Sequence, residues 1–199
     1  KEVIQGIVGA PDKAFIIEEA RLNKFNEKEK AFIKRYYTNS SGISNQFLIY
    51  LSDKNFGRYK LNEFPNLYNH FEPFKSELIK AKNQYKTPIK PYYYLHRERE
   101  ANFFKTGPKI ICQIRCAKPS FLYTEGEYYV SRAANVIKSE RIDLKYLNAL
   151  FNSKLLHFYY KNNGATQGNL LKYDKGPLLS IPIFFDNTKT IVSQISDYY

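Results

Sequence analysis

The chain has 199 residues, with 31 Lys and Arg against 19 Asp and Glu, a net charge of +12 with His neutral, and 43% hydrophobic and 17% aromatic residues. Those proportions exclude an intrinsically disordered chain, which lacks the apolar surface to offset ordering entropy. No apolar run approaches the roughly 18 to 20 residues of a membrane-spanning helix, and the two cysteines are too few for a four-thiolate zinc site or a disulfide framework. The reading is a soluble, intracellular protein of a single domain with no membrane partner. Because it begins with Lys1 and contains no Met, it reads as a piece of a longer polypeptide.

In chain order, residues 4–8, 15–17 and 47–51 are short apolar runs bounded by turn residues, which predicts strands, with a turn at Gly9-Ala10-Pro11-Asp12. Residues 27–37 turn charged and helical, and Thr38 to Gly42 form a polar loop. A helix is predicted over 66–82 from the spacing of Leu67, Phe71, Phe74, Leu78 and Ala81, with Pro65 at its start and Pro73 positioned to kink or split it. Residues 86–100 are irregular, punctuated by Pro88 and Pro91 around a Tyr-, His- and Arg-rich run, and read as an exposed working segment.

A strand over 109–117 places Ile110, Cys112, Ile114 and Cys116 on one face and Ile111, Gln113 and Arg115 on the other. Residues 121–124 and 127–130 flank Glu125-Gly126 as a hairpin. Asp143 caps one long helix with the stripe Leu144, Leu147, Leu150, Phe151, Leu155 and Phe158, ended by Asn162-Asn163-Gly164. Residues 164–176 read as loop, followed by an apolar segment over 178–185 around Pro182. The fold class is α+β, short mixed or antiparallel strands packed with two or three helices.

The basic excess needs a polyanionic partner, and with 18 Tyr and 15 Phe beside the cations the composition suits nucleic acid. Most of those rings belong to a core that has no Trp or Met to fill it. Catalytic motifs are not visible. His70, His96 and His157 are scattered, no phosphate-cradling glycine-lysine loop occurs, and Glu77 with Lys80 is a helix-surface pair rather than a nuclease motif.

The run Gln5-Gly6-Ile7-Val8-Gly9-Ala10-Pro11-Asp12-Lys13-Ala14-Phe15-Ile16-Ile17 resembles the opening of the TaqI-like C-terminal specificity domain. The segments beginning at Phe32, Phe47 and Phe64 are similar to that family's next blocks, as are Tyr92-Tyr93-Tyr94-Leu95-His96-Arg97-Glu98-Arg99, Gly107-Pro108-Lys109-Ile110-Ile111, Leu147-Asn148-Ala149-Leu150-Phe151-Asn152-Ser153-Lys154-Leu155 and Leu178-Leu179-Ser180-Ile181-Pro182-Ile183. The loop over 40–45 departs from the family in lacking its Asp and Arg-Tyr continuation.

The resemblance implies the target-recognition part of an adenine-specific DNA methyltransferase or a type IIG (type II) restriction-modification enzyme, itself non-catalytic and prokaryotic-cytoplasmic. Its partners would be double-stranded DNA and a covalently linked upstream methyltransferase domain, with or without an endonuclease domain. No cofactor is expected in this chain; S-adenosylmethionine belongs to the catalytic domain. Alternatives are a type I restriction specificity subunit, a stand-alone metal-dependent nuclease and a basic protein-interaction module.

The candidate contacts follow from side-chain chemistry. Arg97 and Arg99 offer planar donor forks for a guanine edge or a phosphate, in a segment shared with Tyr93 and His96. Gln113 and Arg115 suit base edges, and Lys118 a phosphate. Lys34, Arg35 and Asn39 form a basic-to-polar corner for phosphate positioning, while Arg132 and Asn135 follow the hairpin.

Overall fold

The computed structural model describes residues 2–85 and 90–183; Pro88 and the end of the 178–185 segment lie outside them. In chain order the elements are β1 (Val3–Gln5), β2 (Ile16–Glu18), α1 (Glu27–Lys30), β3 (Ile33–Tyr37), β4 (Gln46–Ile49), α2 (Asp53–Phe56), α3 (Pro65–Phe71) and α4 (Lys75–Gln84). They continue with β5 (Lys109–Gln113), β6 (Arg115–Cys116), β7 (Phe121–Thr124), β8 (Tyr129–Val130), β9 (Ala134–Ile137), α5 (Leu144–Asn152), α6 (Lys154–Asn163), β10 (Thr166–Gln167), β11 (Leu170–Lys172) and α7 (Lys175–Leu179). The fold is α+β. Among the described residues no helix is long and apolar enough to cross a membrane. The chain, read from sequence as one domain, divides into two compact units: residues 1–6, 38–42 and 102–199, and residues 7–37 and 43–101.

In the first unit the antiparallel strands run in the order β1-β9-β5-β7. The register sets Gln5, Asn135, Cys112 and Phe121 in one cross-strand row, and Val3, Ile137, Ile110 and Tyr123 in another on the same face. The helices cover that face: Val3, Ile110, Cys112, Phe121 and Ile137 share one core with Leu144, Leu147 and Phe151 of α5 and with Leu156 and Tyr160 of α6. Lys109 is fully buried, its ammonium donating to the carbonyls of Gly107 and Gly126 at 2.7 and 2.6 Å.

Three expectations are corrected here. The helix started by Asp143 stops at Asn152, because Ser153 adopts an extended backbone and its hydroxyl accepts from the Leu156 N–H at 3.1 Å, starting α6 on a new axis. That break turns Leu155 and Phe158 outward, 69% and 70% exposed, instead of continuing the stripe. Residues 121–124 pair with 109–113 and not with the stretch after Glu125-Gly126. Residues 164–176 hold the hairpin of β10 and β11, which joins β6 in a three-stranded antiparallel sheet.

In the second unit β4 lies between β2 and β3, antiparallel to both. Phe15, Ile17, Leu48, Ile49, Leu51, Phe56, Leu67 and Phe71 are almost wholly buried, and Phe15 meets Phe71 edge-on at 5.4 Å. The helix expected over 27–37 ends at Lys30; residues 33–37 form β3 instead, with Ile33 and Tyr36 buried and Arg35 exposed, because pairing with β4 overrides the helical character of a charged run. The expected kink at Pro73 is present: α3 gives way to one tight 3-10 turn over Glu72–Phe74 before α4 begins.

Glu29, wholly buried, accepts from the Asn26 N–H at 2.9 Å, the Asn66 N–H at 2.8 Å, the Asn66 side-chain amide at 2.7 Å and the Leu67 N–H at 3.2 Å. One carboxylate therefore closes the capping box of α1 and holds the unbonded N–H groups at the start of α3.

Candidate nucleic-acid interface

In the second unit the irregular segment after Lys90 is fixed by its backbone. The Leu95 N–H donates to the Leu51 carbonyl at 3.0 Å, the His96 N–H to Gly9 at 3.3 Å, and Arg97 and Val8 exchange both bonds at 3.1 and 3.2 Å. Tyr94 and Leu95 point into the core while Arg97 stays exposed. Glu98 is held elsewhere, by Lys90 at 3.2 Å, and among the described residues no ion pair engages Arg97. Arg99 adopts φ 62°, a left-handed conformation that a non-glycine residue holds only where its surroundings fix it. Burial first, then the neighbouring Arg97, pulls the Arg99 pKa down.

His96 packs on Tyr85 at 4.7 Å between ring centroids, and its Nδ1 is buried with no hydrogen-bond partner among the described residues. Burial, then Arg97, Lys82, Lys90 and Arg99, lowers its pKa, which favours the neutral ring. Tyr93 is half-buried and meets Tyr92, Tyr94 and Phe56 edge-on at 5.3, 5.1 and 5.9 Å. Its ring serves that aromatic cluster, not an open stacking platform.

The basic corner is also corrected. Lys34 and Arg35 are consecutive in β3 and so point to opposite faces. Arg35 is already engaged, donating to the Ser44 carbonyl at 2.6 Å, lying 3.6 Å from Glu19 and sitting over the Phe47 ring at 4.9 Å. Asn39, exposed in the first unit, uses its side-chain oxygen to accept from the Ser41 N–H at 2.8 Å.

In the first unit the chain bends at Ile114, so Gln113 and Arg115 belong to different strands. Gln113 lies on the face away from α5, half-buried, with its Oε1 unpartnered among the described residues. Arg115 is exposed across from Lys172 and donates through Nε to Gln167. Lys118 is exposed in the bend before β7, and Arg132 is exposed with its carbonyl accepting from Gln5 at 2.8 Å. Asn135 is corrected outright: it is 2% exposed, on the helix-covered face, and donates to the Tyr173 carbonyl at 2.8 Å. Strand position alone could not show which face the helices would take.

The structure thus gathers His96, Arg97 and Arg99 in one unit and Gln113, Arg115 and Lys118 along one stretch of the other. Lys82 and Lys90 beside His96, and Gln167 and Lys172 beside Arg115, were missed. The first pair is separated in sequence from the arginines, and the second sits in a hairpin that reads as loop. Among the described residues no group of three or more His, Cys, Asp or Glu side chains is placed to hold a metal ion.

A basic α+β chain with exposed guanidinium and polar side chains on backbone-fixed segments has the build of a nucleic-acid recognition module. The chain matches the TaqI-like C-terminal specificity domain over residues 48–183 and belongs to that family. It is 28% identical over 151 residues to the type II methyltransferase M.HincII of Haemophilus influenzae, covering 71% of this chain and 29% of that protein. Against M.HindII of the same species it is 25% identical, covering 91% of this chain and 37% of that protein. Against M.MjaIV of Methanocaldococcus jannaschii it is 24% identical, covering 96% and 67%. The chain therefore spans about a third of the two Haemophilus relatives. The fold is similar to that of the type IIL restriction-modification enzyme MmeI in complex with DNA, with a TM-score of 0.68 at 13% identity over 94% of this chain and 25% of that one.

Proposed function

We propose that this chain reads double-stranded DNA sequence for an adenine-specific methyltransferase to which it is covalently linked. The linked domain binds S-adenosylmethionine and takes the target adenine out of the stack. In a fused restriction-modification enzyme an endonuclease domain completes the polypeptide. The observation that carries the reading is the match to a specificity domain over residues 48–183. The net charge of +12 supports it, since lysine contacts to phosphates supply salt-dependent affinity while arginine and glutamine contacts to base edges supply selectivity.

Arg97 is the foremost candidate for base reading, followed by Arg99, Gln113 and Arg115, with Lys118, Lys34 and Arg132 as phosphate contacts. The test is selection of this chain on a randomised duplex pool at two salt concentrations, alongside an Arg97→Ala, Arg99→Ala variant. A short enriched motif that the variant loses or relaxes is the expected result. Salt-sensitive binding with no enriched motif would reduce the reading to a basic surface.

A further inference from the structure

The second unit carries a cationic cluster that sequence reading did not assemble. Lys82, in the last turn of α4, donates to the Tyr94 carbonyl at 3.0 Å. Lys90 lies 3.2 Å from Glu98, and His96 stands against Tyr85. Arg97 and Arg99 extend the cluster along the same segment. These groups feel one another: Arg97, Lys82, Lys90 and Arg99 all disfavour a proton on His96, and Lys90 disfavours one on Lys82. Glu98 favours the proton on Lys82 and also lies 3.2 Å from Lys90, so it acts on both ammonium groups. Like charges so gathered raise the free energy of the empty site, and a bound anion relieves it.

We propose that Lys82, Lys90 and His96 form a site for one phosphate of the DNA backbone, flanked by Arg97 and Arg99. The proposal rests on the DNA-binding reading above and adds a phosphate position and a proton linkage to it. In the empty site burial, with Lys90 second, holds Lys82 at about 8, and burial with the surrounding cations holds His96 below its ordinary value. A phosphodiester among them favours the charged form of both, so filling the site takes up protons. The sign follows: protons bound with DNA make binding weaken as pH rises. Above about pH 8, where the empty site has released the Lys82 proton, uptake of one proton weakens binding about tenfold per pH unit.

Calorimetric titration of this chain with a mixed-sequence duplex, in buffers matched for pH and salt but differing in ionisation enthalpy, counts the protons. Affinities from pH 6 to 9.5 give the slope. The wild type is expected to take up protons at pH 8.5. Lys82→Arg, which keeps the charge and does not titrate in this range, is expected to bind DNA while losing most of the slope above pH 8. His96→Gln is expected to lose the part of the slope below pH 7. DNA binding with no buffer dependence, or an unaltered slope in Lys82→Arg, overturns the phosphate site and leaves the DNA reading standing. Absence of binding to any duplex at low salt overturns both.

Discussion

Replacing Glu29 tests whether one buried carboxylate holds the second unit together. Its two oxygens accept four hydrogen bonds, from the Asn26 N–H, from both the backbone and the side chain of Asn66, and from the Leu67 N–H. A hydrogen bond to a charged group contributes about 1.5–3 kcal/mol, and each buried donor left without a partner costs about 1–3 kcal/mol. The four are not additive, because they share one charge whose own desolvation offsets part of the gain. Glu29→Ala is therefore expected to cost about 3–5 kcal/mol, the range seen when one partner of a buried charged network is removed. Glu29→Gln keeps shape and one acceptor but turns an NH2 group toward donors, and should cost about 1–3 kcal/mol. Glu27→Ala two residues earlier is the control: that side chain is 88% exposed and among the described residues pairs with Lys30 alone, so its loss should stay within about 0.5 kcal/mol. Urea unfolding followed by far-UV circular dichroism measures all three. A Glu29→Ala variant within about 1 kcal/mol of wild type would show that water reaches those donors, and the capping argument would fall.

A Cβ at Gly6 would run into the carbonyl oxygens of Val130 and Ser131, so Gly6→Ala should cost about 1–3 kcal/mol, whereas Gly176→Ala, with nothing within 4 Å of its added methyl, should cost nothing in the same thermal melt. Burial, with Lys138 second, lowers Lys109 to about 8 from an ordinary 10.5. Between those values the unfolded chain binds more protons than the folded one, so stability relative to Lys109→Met should rise with pH across that window and be flat below it. Urea midpoints at pH 7 to 10 test this, and parallel curves for the two proteins would refute it.

The sequence exposes those features whose cause is local. Pro65 and Pro73 mark the start of α3 and the break before α4 because proline's missing N–H acts wherever it sits. Asp143 caps α5 through its own side chain, accepting from the Tyr146 N–H at 2.8 Å. What is not legible depends on distant partners. Glu29 looks like any acid in a charged run until α3 is laid across it. Residues 33–37 become a strand because Leu48 and Ile49 of β4 are there to pair with. Among the candidate contacts, Arg97 has no ion pair among the described residues while its neighbour Glu98 pairs with Lys90, and Asn135 disappears into the core because helices cover its face. Neither outcome leaves a trace in local composition.

The pairing of β1 with β9 has a consequence for synthesis of the chain. Val3 to Gln5 leave the ribosome ahead of the other described strands, yet their partners, Asn135 to Ile137, are translated some 130 residues later. All three strands β2, β3 and β4 have by then emerged, and the Val8–Arg97 bridge can already have formed. Closing a flexible loop of that length costs about 4 kcal/mol in chain entropy. A second unit that has already folded shortens the flexible path between β1 and β9 and lowers that cost. Nascent-chain order and final topology therefore agree: residues 7–37 and 43–101 are complete before Asn135 to Ile137 are made, so the pairing of β1 with β9 closes over a shortened flexible path.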